Sequence, residues 1–323
     1  MILIISKSDD TPTEQVSNWL NAYNIPFYIL NDNIYDVLKI DFNNGTIFIG
    51  EYPIDTFKVV WFRKFPYALR ESQKHDIRKK LYHSLVEYNM IESRALREYL
   101  LFELNKRNVT WLTNPFYLTE NKLIQMQMAQ NCGLLIPKSF IVNNKNTLES
   151  LTANDEEFIT KPFENCVNFR SENSIITMQT TVVNEKINNI PQFFKPALLQ
   201  QKIIRSFEIR SFYLLGKFYS TKIITNDNLI VDHRISVAND ECRFEIYRLP
   251  EEVEKNLHHL LESMNLNCAS IDLVVNQNNE HFFLEVNPVG QFTYHSVFNN
   301  TYLEIEIALA LKKMLKECNI KNT

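Results

Sequence analysis

The chain has 323 residues, 45 % hydrophobic and 22 % charged, with a net charge of -4, which allows one to three globular domains and argues against a wholly basic, nucleic-acid-coating surface while leaving room for a local basic groove. Only five residues are Gly, at 45, 50, 133, 216 and 290, so a GxGxxG dinucleotide turn, a Walker A loop and a kinase Gly-rich loop are excluded. The five Cys are scattered without a CxxC and no apolar run nears the roughly 18 residues of a membrane span, so the expectation is a cytoplasmic protein with reduced thiols and neither a membrane nor a nucleic acid as partner.

Residues 1–6 read as a strand. Thr11-Pro12-Thr13-Glu14 reads as a helix start, with Thr11 as the cap and Glu14 closing a capping box, and Val16, Trp19, Leu20 and Tyr23 continue at helical spacing. A strand over 25–30 completes a βαβ pattern, which predicts a parallel sheet. Further strands are expected over 46–50 and 59–63, and a long helix over about 70–107, where Leu81, Leu85, Tyr88, Ile91, Ala95, Tyr99 and Phe102 recur at three- and four-residue steps. After a strand over 109–113, Asn114-Pro115 marks a boundary. A helix over 118–131 ends at Gly133. Strands over 138–142 and 157–162 follow, then a poorly patterned Asn-, Thr- and Ser-rich stretch over 163–190. The segments 198–204, 207–214 and 217–225 read as one antiparallel set, 251–264 as a helix, 271–275 and 281–286 as a hairpin, and 302–317 as a closing helix. The many Asn residues carry no functional reading.

The hairpin holds the strongest chemical signal. Glu285 and Asn287 lie two apart on a strand and share a face. With a polar turn over 277–280, Asp272 falls opposite Glu285. Three oxygen donors on one sheet face suit Mg²⁺, which takes a few protein oxygens together with substrate phosphates; the alternative is an ordinary solvated face. Lys122, early in a helix, and Lys161, at a strand end, can grip a polyphosphate as point charges, although each taken alone reads first as a surface lysine and gains weight only from its order with the hairpin. Gln201, Lys202 and Ile203 form a strand-to-linker passage whose backbone can meet an adenine edge. Glu208 can accept from ribose hydroxyls and Arg210 can reach a phosphate or acyl-phosphate oxygen, the alternative for each being a cross-strand or local ion pair. In Val231-Asp232-His233-Arg234, Arg234 can stabilise charge on a transferring phosphoryl group; His233 reads as structural or solvated. Arg63 and Lys64, at a strand end, could attract substrate carboxylates or simply be solvated, and the basic helix over 70–107 could serve a peptide or a dimer interface.

Taken in order, Lys122, Lys161, Gln201–Ile203, Glu208, Arg210, Arg234, Asp272, Glu285 and Asn287 resemble the ATP-grasp ligases, in which two α+β subdomains clasp ATP. In that likeness Lys122 and Lys161 match the nucleotide lysines, Gln201 to Ile203 the adenine hinge, and Asp272, Glu285 and Asn287 the magnesium ligands. The opening residues, Trp61-Phe62-Arg63-Lys64, Ser93 to Leu100 and Trp111-Leu112-Thr113-Asn114-Pro115 look like the peptide maturases of graspetide pathways, microviridin-type and grasp-with-spasm. Two stretches depart from the pattern: Gln201 stands where related ligases carry an acid, and 163–174 lacks the glycines of a phosphate-covering loop.

The resemblance implies an α/β and α+β protein: an N-terminal α/β domain over 1–113, a central ATP-grasp subdomain over 114–200 and a C-terminal one with the metal site over 201–323. It implies an enzyme using ATP and Mg²⁺ to activate Asp or Glu side chains of a ribosomal precursor peptide as acyl phosphates. Thr, Ser or Lys side chains of the same peptide then close ω-ester or ω-amide rings. The partners expected are the precursor, leader and core, and a second copy in a homodimer. A glutamate-adding type of amino-acid ligase and an inactive peptide-binding module are the competing readings.

Overall fold

The computed structural model describes residues 1–31, 38–64, 79–153, 156–164, 168–170, 175–177, 180–225 and 242–321. The chain forms two compact units, Met1–Leu118 with Tyr302–Thr323, and Thr119–Thr301.

In the first unit, β1 (Ile2–Ile5), β2 (Phe27–Leu30), β6 (Val59–Phe62) and β7 (Thr110–Leu112) form a sheet in the order β2-β1-β6-β7. Its pairings are all parallel. β1 and β6 are buried along their whole length, as their unbroken apolar runs require of a parallel sheet covered on both faces. A small antiparallel sheet of β3 (Leu38–Asp41), β4 (Thr46–Ile49) and β5 (Tyr52–Pro53) packs its Ile47 and Ile49 into the same core, with Leu100 and Leu104 of the long helix α2 (Lys79–Lys106) and with Trp111.

The crossover helix α1 (Thr11–Ala22) is capped by Asp10, not Thr11: the Asp10 carboxylate accepts from the Thr13 amide at 3.2 Å and from its hydroxyl at 2.6 Å. A carboxylate serves better here because it also answers two cations, described below. The last helix, α7 (Leu303–Lys321), expected with the C-terminal subdomain, belongs to this unit and packs on α1 and β6. Its buried Leu303, Ile307, Ala308 and Leu311 recur at helical spacing and bury one apolar stripe against them.

Among the described residues the second unit holds two larger antiparallel sheets and one two-stranded one. The first runs β12 (Thr181–Val182), β9 (Phe158–Lys161), β13 (Phe193–Gln201), β8 (Ser139–Asn144). One of its faces packs Phe140, Val142, Phe158 and Leu199 against Leu148 of α4 (Lys145–Thr152). A hairpin of β10 (Asn168–Arg170) and β11 (Ile175–Thr177) lies in the stretch that sequence patterning leaves open. The second sheet runs β16 (Cys242–Tyr247), β15 (Lys217–Thr225), β14 (Arg205–Leu214), β17 (Cys268–Asn276), β18 (His281–Asn287). With it go α3 (Lys122–Asn131), α5 (Glu251–Ser263) and the short α6 (Thr293–Asn299).

One expected grouping is corrected. β13 does not continue the set formed by β14 and β15; it lies in the first sheet, between β9 and β8. Its end is held there because the Gln201 and Lys202 amides donate to the Lys138 and Glu157 carbonyls, each at 2.8 Å.

Asn24, Asn108, Asn265, Asn279 and Asn300 all have positive φ, from 50° to 61°. Four follow or cap helices α1, α2, α5 and α6, and Asn279 turns the β17–β18 hairpin. Asn tolerates the left-handed region because its short amide bonds locally, so this chain uses it where glycine is usual.

Candidate active site

The antiparallel registers set three charged side chains in one row. Arg210 of β14 stands opposite Asp272 of β17, and Asp272 opposite Glu285 of β18. Cross-strand partners share a face, so all three point the same way. Asn287, opposite Ser270, lies two residues further along that face. The hairpin pairing expected from the sequence is thus the observed one, with a bulge between Asp272 and Leu273. Arg210 holds Asp272 by Nε to Oδ1 at 3.3 Å and Nη2 to Oδ2 at 3.4 Å. Asn287 Oδ1 accepts from the Val289 amide at 3.2 Å, and the turn that follows closes with the Gly290 amide on the Asn287 carbonyl at 3.1 Å.

Both lysines converge on this row. Lys122 is the first residue of α3, whose cap is Asn121. Its Nζ is 3.1 Å from Glu285 Oε2 and also donates to the Glu164 carbonyl. Lys161 ends β9 on the face opposite the Phe158 core. Burial pushes its ammonium below the usual lysine range, a shift that Glu285 and Asp272 oppose and Lys122 reinforces. Three cations, Lys122, Lys161 and Arg210, therefore gather around two carboxylates, an excess of positive charge in a partly dry place, where charges act strongly.

The residues expected as the hinge lie on the passage from β13 to β14. Once the Gln201 and Lys202 amides are bonded, the Lys202 carbonyl and the Ile203 and Ile204 amides have no partner among the described residues. They form an acceptor and two donors on one short passage. The Lys202 side chain is bound to Glu157 at 2.7 Å. Glu208 and Arg210 both make the ion pairs weighed as the alternative, one local and one cross-strand: Glu208 is bound by Arg205, three residues away, and Arg210 by Asp272 on the neighbouring strand. Arg210 also has a buried neighbour on α6. His295 is 1 % exposed, and its Nδ1 lies 2.7 Å from Thr221 Oγ1, the residue opposite Arg210 on β15. Burial, then the Arg210 charge, push the His295 pKa down to about 3, so this imidazole is neutral at ordinary pH.

Two expectations fall elsewhere. Arg63 is 1 % exposed and lies in the first unit with its Nε 3.2 Å from Asp10 Oδ2, while Lys64 Nζ is 3.0 Å from Asp10 Oδ1. Burial would raise the Asp10 carboxyl, but Arg63 and the hydrogen bonds of Thr13, Lys64 and Arg63 more than reverse it and hold it far below the usual range. The Arg63 guanidinium thus serves the start of α1, not an open surface for a peptide carboxylate. Arg234, with Asp232 and His233, lies outside the described residues.

Sequence reasoning also misses a residue. Gln125 is 1 % exposed and bonds both backbone groups of Val286, between Glu285 and Asn287. A polar side chain on the buried stripe of α3, beside Met126 and Ala129, is the signal that could have found it.

Among the described residues no three His, Cys, Asp or Glu side chains converge as a metal cluster, and no helix is long and apolar enough to cross a membrane. The donors available to an ion are two carboxylates and one carboxamide. Such a hard-oxygen set is incomplete by itself and fits an ion that takes further oxygens from its substrate.

Antiparallel sheets that bring lysines from separate elements onto a row of carboxylates form the arrangement to be compared with known folds. Comparison with solved structures gives it a name. The macrocyclase MdnC of Microcystis aeruginosa MRC, bound to its precursor peptide MdnA, superposes with a TM-score of 0.80 over 97 % of this chain and 99 % of that one, at 21 % identity. A RiPP-associated ATP-grasp ligase of Chryseobacterium gregarium, in complex with ADP and a leader and core peptide, gives 0.78 over 98 % and 96 %, at 20 % identity. The ATP-grasp ligase PsnB, with Mg, ADP and a phosphomimetic variant of its minimal precursor, gives 0.71 over 97 % and 98 %, at 14 % identity. No protein-family model and no curated protein matches the chain. At these identities it is the fold that is shared: the chain has the ATP-grasp fold of these ligases, with its parallel N-terminal sheet and its antiparallel sheets.

Proposed function

We propose that the chain is an ATP-dependent ligase that closes rings between side chains of a ribosomally made precursor peptide. The observation that carries this reading is the convergence of Lys122 and Lys161 on the Arg210–Asp272–Glu285 row. The likeness in fold to peptide-bound macrocyclases supports the peptide as substrate.

Asp272, Glu285 and Asn287 would hold Mg²⁺, which when bound neutralises charge on the phosphates and polarises the transferred group. Lys122 and Lys161 draw in the phosphate tail as point charges, and the sequence assigns Arg234 to the same γ-phosphate. The Lys202 carbonyl and the neighbouring amides read the adenine edge, and Glu208, held by Arg205, accepts from the ribose. An Asp or Glu carboxylate oxygen of the peptide attacks the γ-phosphorus; the bond to the β-phosphate oxygen breaks, leaving ADP and an acyl phosphate. Arg210 steadies that intermediate with a forked guanidinium. A Thr or Ser hydroxyl, or a Lys amine, of the same peptide attacks the acyl carbon and expels phosphate, which carries off the proton. Positioning and charge stabilisation are the protein's whole share of this chemistry.

The test is to look for a short Thr- and Glu/Asp-rich peptide encoded beside the gene and to incubate it with the purified chain, ATP and Mg²⁺. The peptide is expected to lose the mass of one water per ring while one ADP forms for each. A substrate that gains mass would instead identify an amino-acid ligase, and an unmodified peptide without ADP would refute catalysis.

A further inference from the structure

β18 is an edge strand of its sheet, so its outward backbone groups have no strand to bond. Val286 sits at this edge, between Glu285 and Asn287, and Gln125 satisfies both of its groups. The Val286 amide donates to Gln125 Oε1 at 2.9 Å, and Gln125 Nε2 donates to the Val286 carbonyl at 2.8 Å. The second proton of the same Nε2 goes to the Thr119 carbonyl at 2.8 Å, just ahead of the α3 cap. The carboxamide thus acts as one residue of a missing neighbour strand. It is buried and all its polar atoms are used, an arrangement that fixes geometry closely.

Its place gives it a second effect. Glu285 and Asn287 can turn toward a common ion only if the peptide units flanking Val286 are held, and Gln125 holds them. Through its own helix and Thr119 it ties that short segment to the first turn of α3, where Lys122 meets Glu285 at 3.1 Å. The nearby edge residue Phe283 is covered by simpler means, its amide on the Leu135 carbonyl at 2.8 Å, so this edge is covered by ordinary backbone pairing elsewhere.

We propose that Gln125 is a positioning residue for the metal, setting Glu285 and Asn287 through the backbone between them and keeping them in register with Lys122. This rests on reading Asp272, Glu285 and Asn287 as the ligands of Mg²⁺. Partners that orient ligands in this way change metal affinity by about 10- to 100-fold when removed.

The experiment is calorimetric titration of the full chain with ADP, with and without Mg²⁺; the ratio of the two Kd values measures how far the metal strengthens binding. Gln125→Met keeps the length of the side chain and removes all three hydrogen bonds. It is expected to bind ADP alone within about twofold of wild type and to lose about tenfold or more of the Mg²⁺ enhancement. A merely structural residue would lower the melting temperature and leave that ratio unchanged, which would overturn the proposal. Should Gln125→Met not fold, Gln125→Glu, which keeps the shape and the acceptor for the Val286 amide, is read in the same way. If neither variant folds, Gln125 belongs to the fold alone and the proposal fails. A wild-type chain showing no Mg²⁺ enhancement would overturn the reading of the metal site itself; a wild-type enhancement that both variants retain would overturn only the role of Gln125.

Discussion

Replacing Asp272 by Asn separates the chemistry of the row from its contribution to the fold. Asp272 and Arg210 are a quarter and a fifth exposed, at 25 % and 21 %, with contacts of 3.3 and 3.4 Å. A pair of that exposure contributes about 1 kcal/mol, and the Asn carboxamide still offers an oxygen to the guanidinium. The melting temperature is therefore expected to fall by only about 2–4 °C. The effect on turnover is of another size. One of two carboxylate donors is lost, and the surroundings pass from three cations against two anions to three against one. ADP formation with the cognate peptide should drop by roughly 100-fold or more. Circular dichroism melting and mass-spectrometric measurement of ADP and dehydrated peptide read the two effects on the same samples. A folded variant that keeps turnover within about threefold of wild type would place the metal elsewhere and refute the row as its seat.

In the first unit, Asp10→Ala leaves the buried Arg63 guanidinium without its carboxylate and α1 without its cap; a loss of about 3–5 kcal/mol from the broken pair and about 1 kcal/mol from the cap is expected in chemical denaturation, and a loss below about 1 kcal/mol would show the pair to be unimportant. His295 gives a pH signature. Its folded pKa lies near 3 and its unfolded one near 6.5, so the unfolded chain binds the extra proton between those values and stability rises with pH across that window, by at most about 1.4 kcal/mol per unit. His295→Asn should flatten the difference between urea unfolding at about pH 5 and pH 7, and an unchanged slope would contradict the buried neutral imidazole. Gly290, at φ +73°, would bring a Cβ within 3.1 Å of Cys268 Sγ and of Phe212 Cε2. Gly290→Ala should therefore cost more than the roughly 1 kcal/mol of a left-handed alanine and disturb the turn after Asn287; calorimetric melting at or above the wild-type temperature would contradict this.

What the sequence shows and what it hides follow from how far each signal reaches. The pairing of Asp272 with Glu285 is legible because a hairpin's register is set by its own turn and by alternation at period two. Lys122 at a helix start and Gly133 at its end, with φ +81°, are likewise local. The strand before the hinge is misgrouped because Lys202, Ile203 and Ile204 carry no turn residue, so nothing nearby marks the passage from one sheet to the other. The partners of Arg210 and Glu208 are set by strand order and side-chain reach, and those of Arg63 and Gln125 by contacts 53 and 161 residues away, beyond any periodicity. Helix α4 is capped by Asn144, whose side chain accepts from the Thr147 amide; in an Asn-rich chain such a cap does not stand out from the turns that Asn also builds. Helix α7 falls to the first unit because its apolar stripe fits α1 and β6, a choice that order along the chain does not reveal.

The central claim is that a peptide carboxylate becomes an acyl phosphate before the ring closes. Labelling the Asp and Glu side-chain carboxylates of the precursor with oxygen-18 tests it, because the bridging oxygen of an acyl phosphate leaves with the phosphate. One labelled oxygen in the inorganic phosphate for every ring closed is the result expected. Rings formed with unlabelled phosphate, or phosphate released without any ring, would contradict the claim.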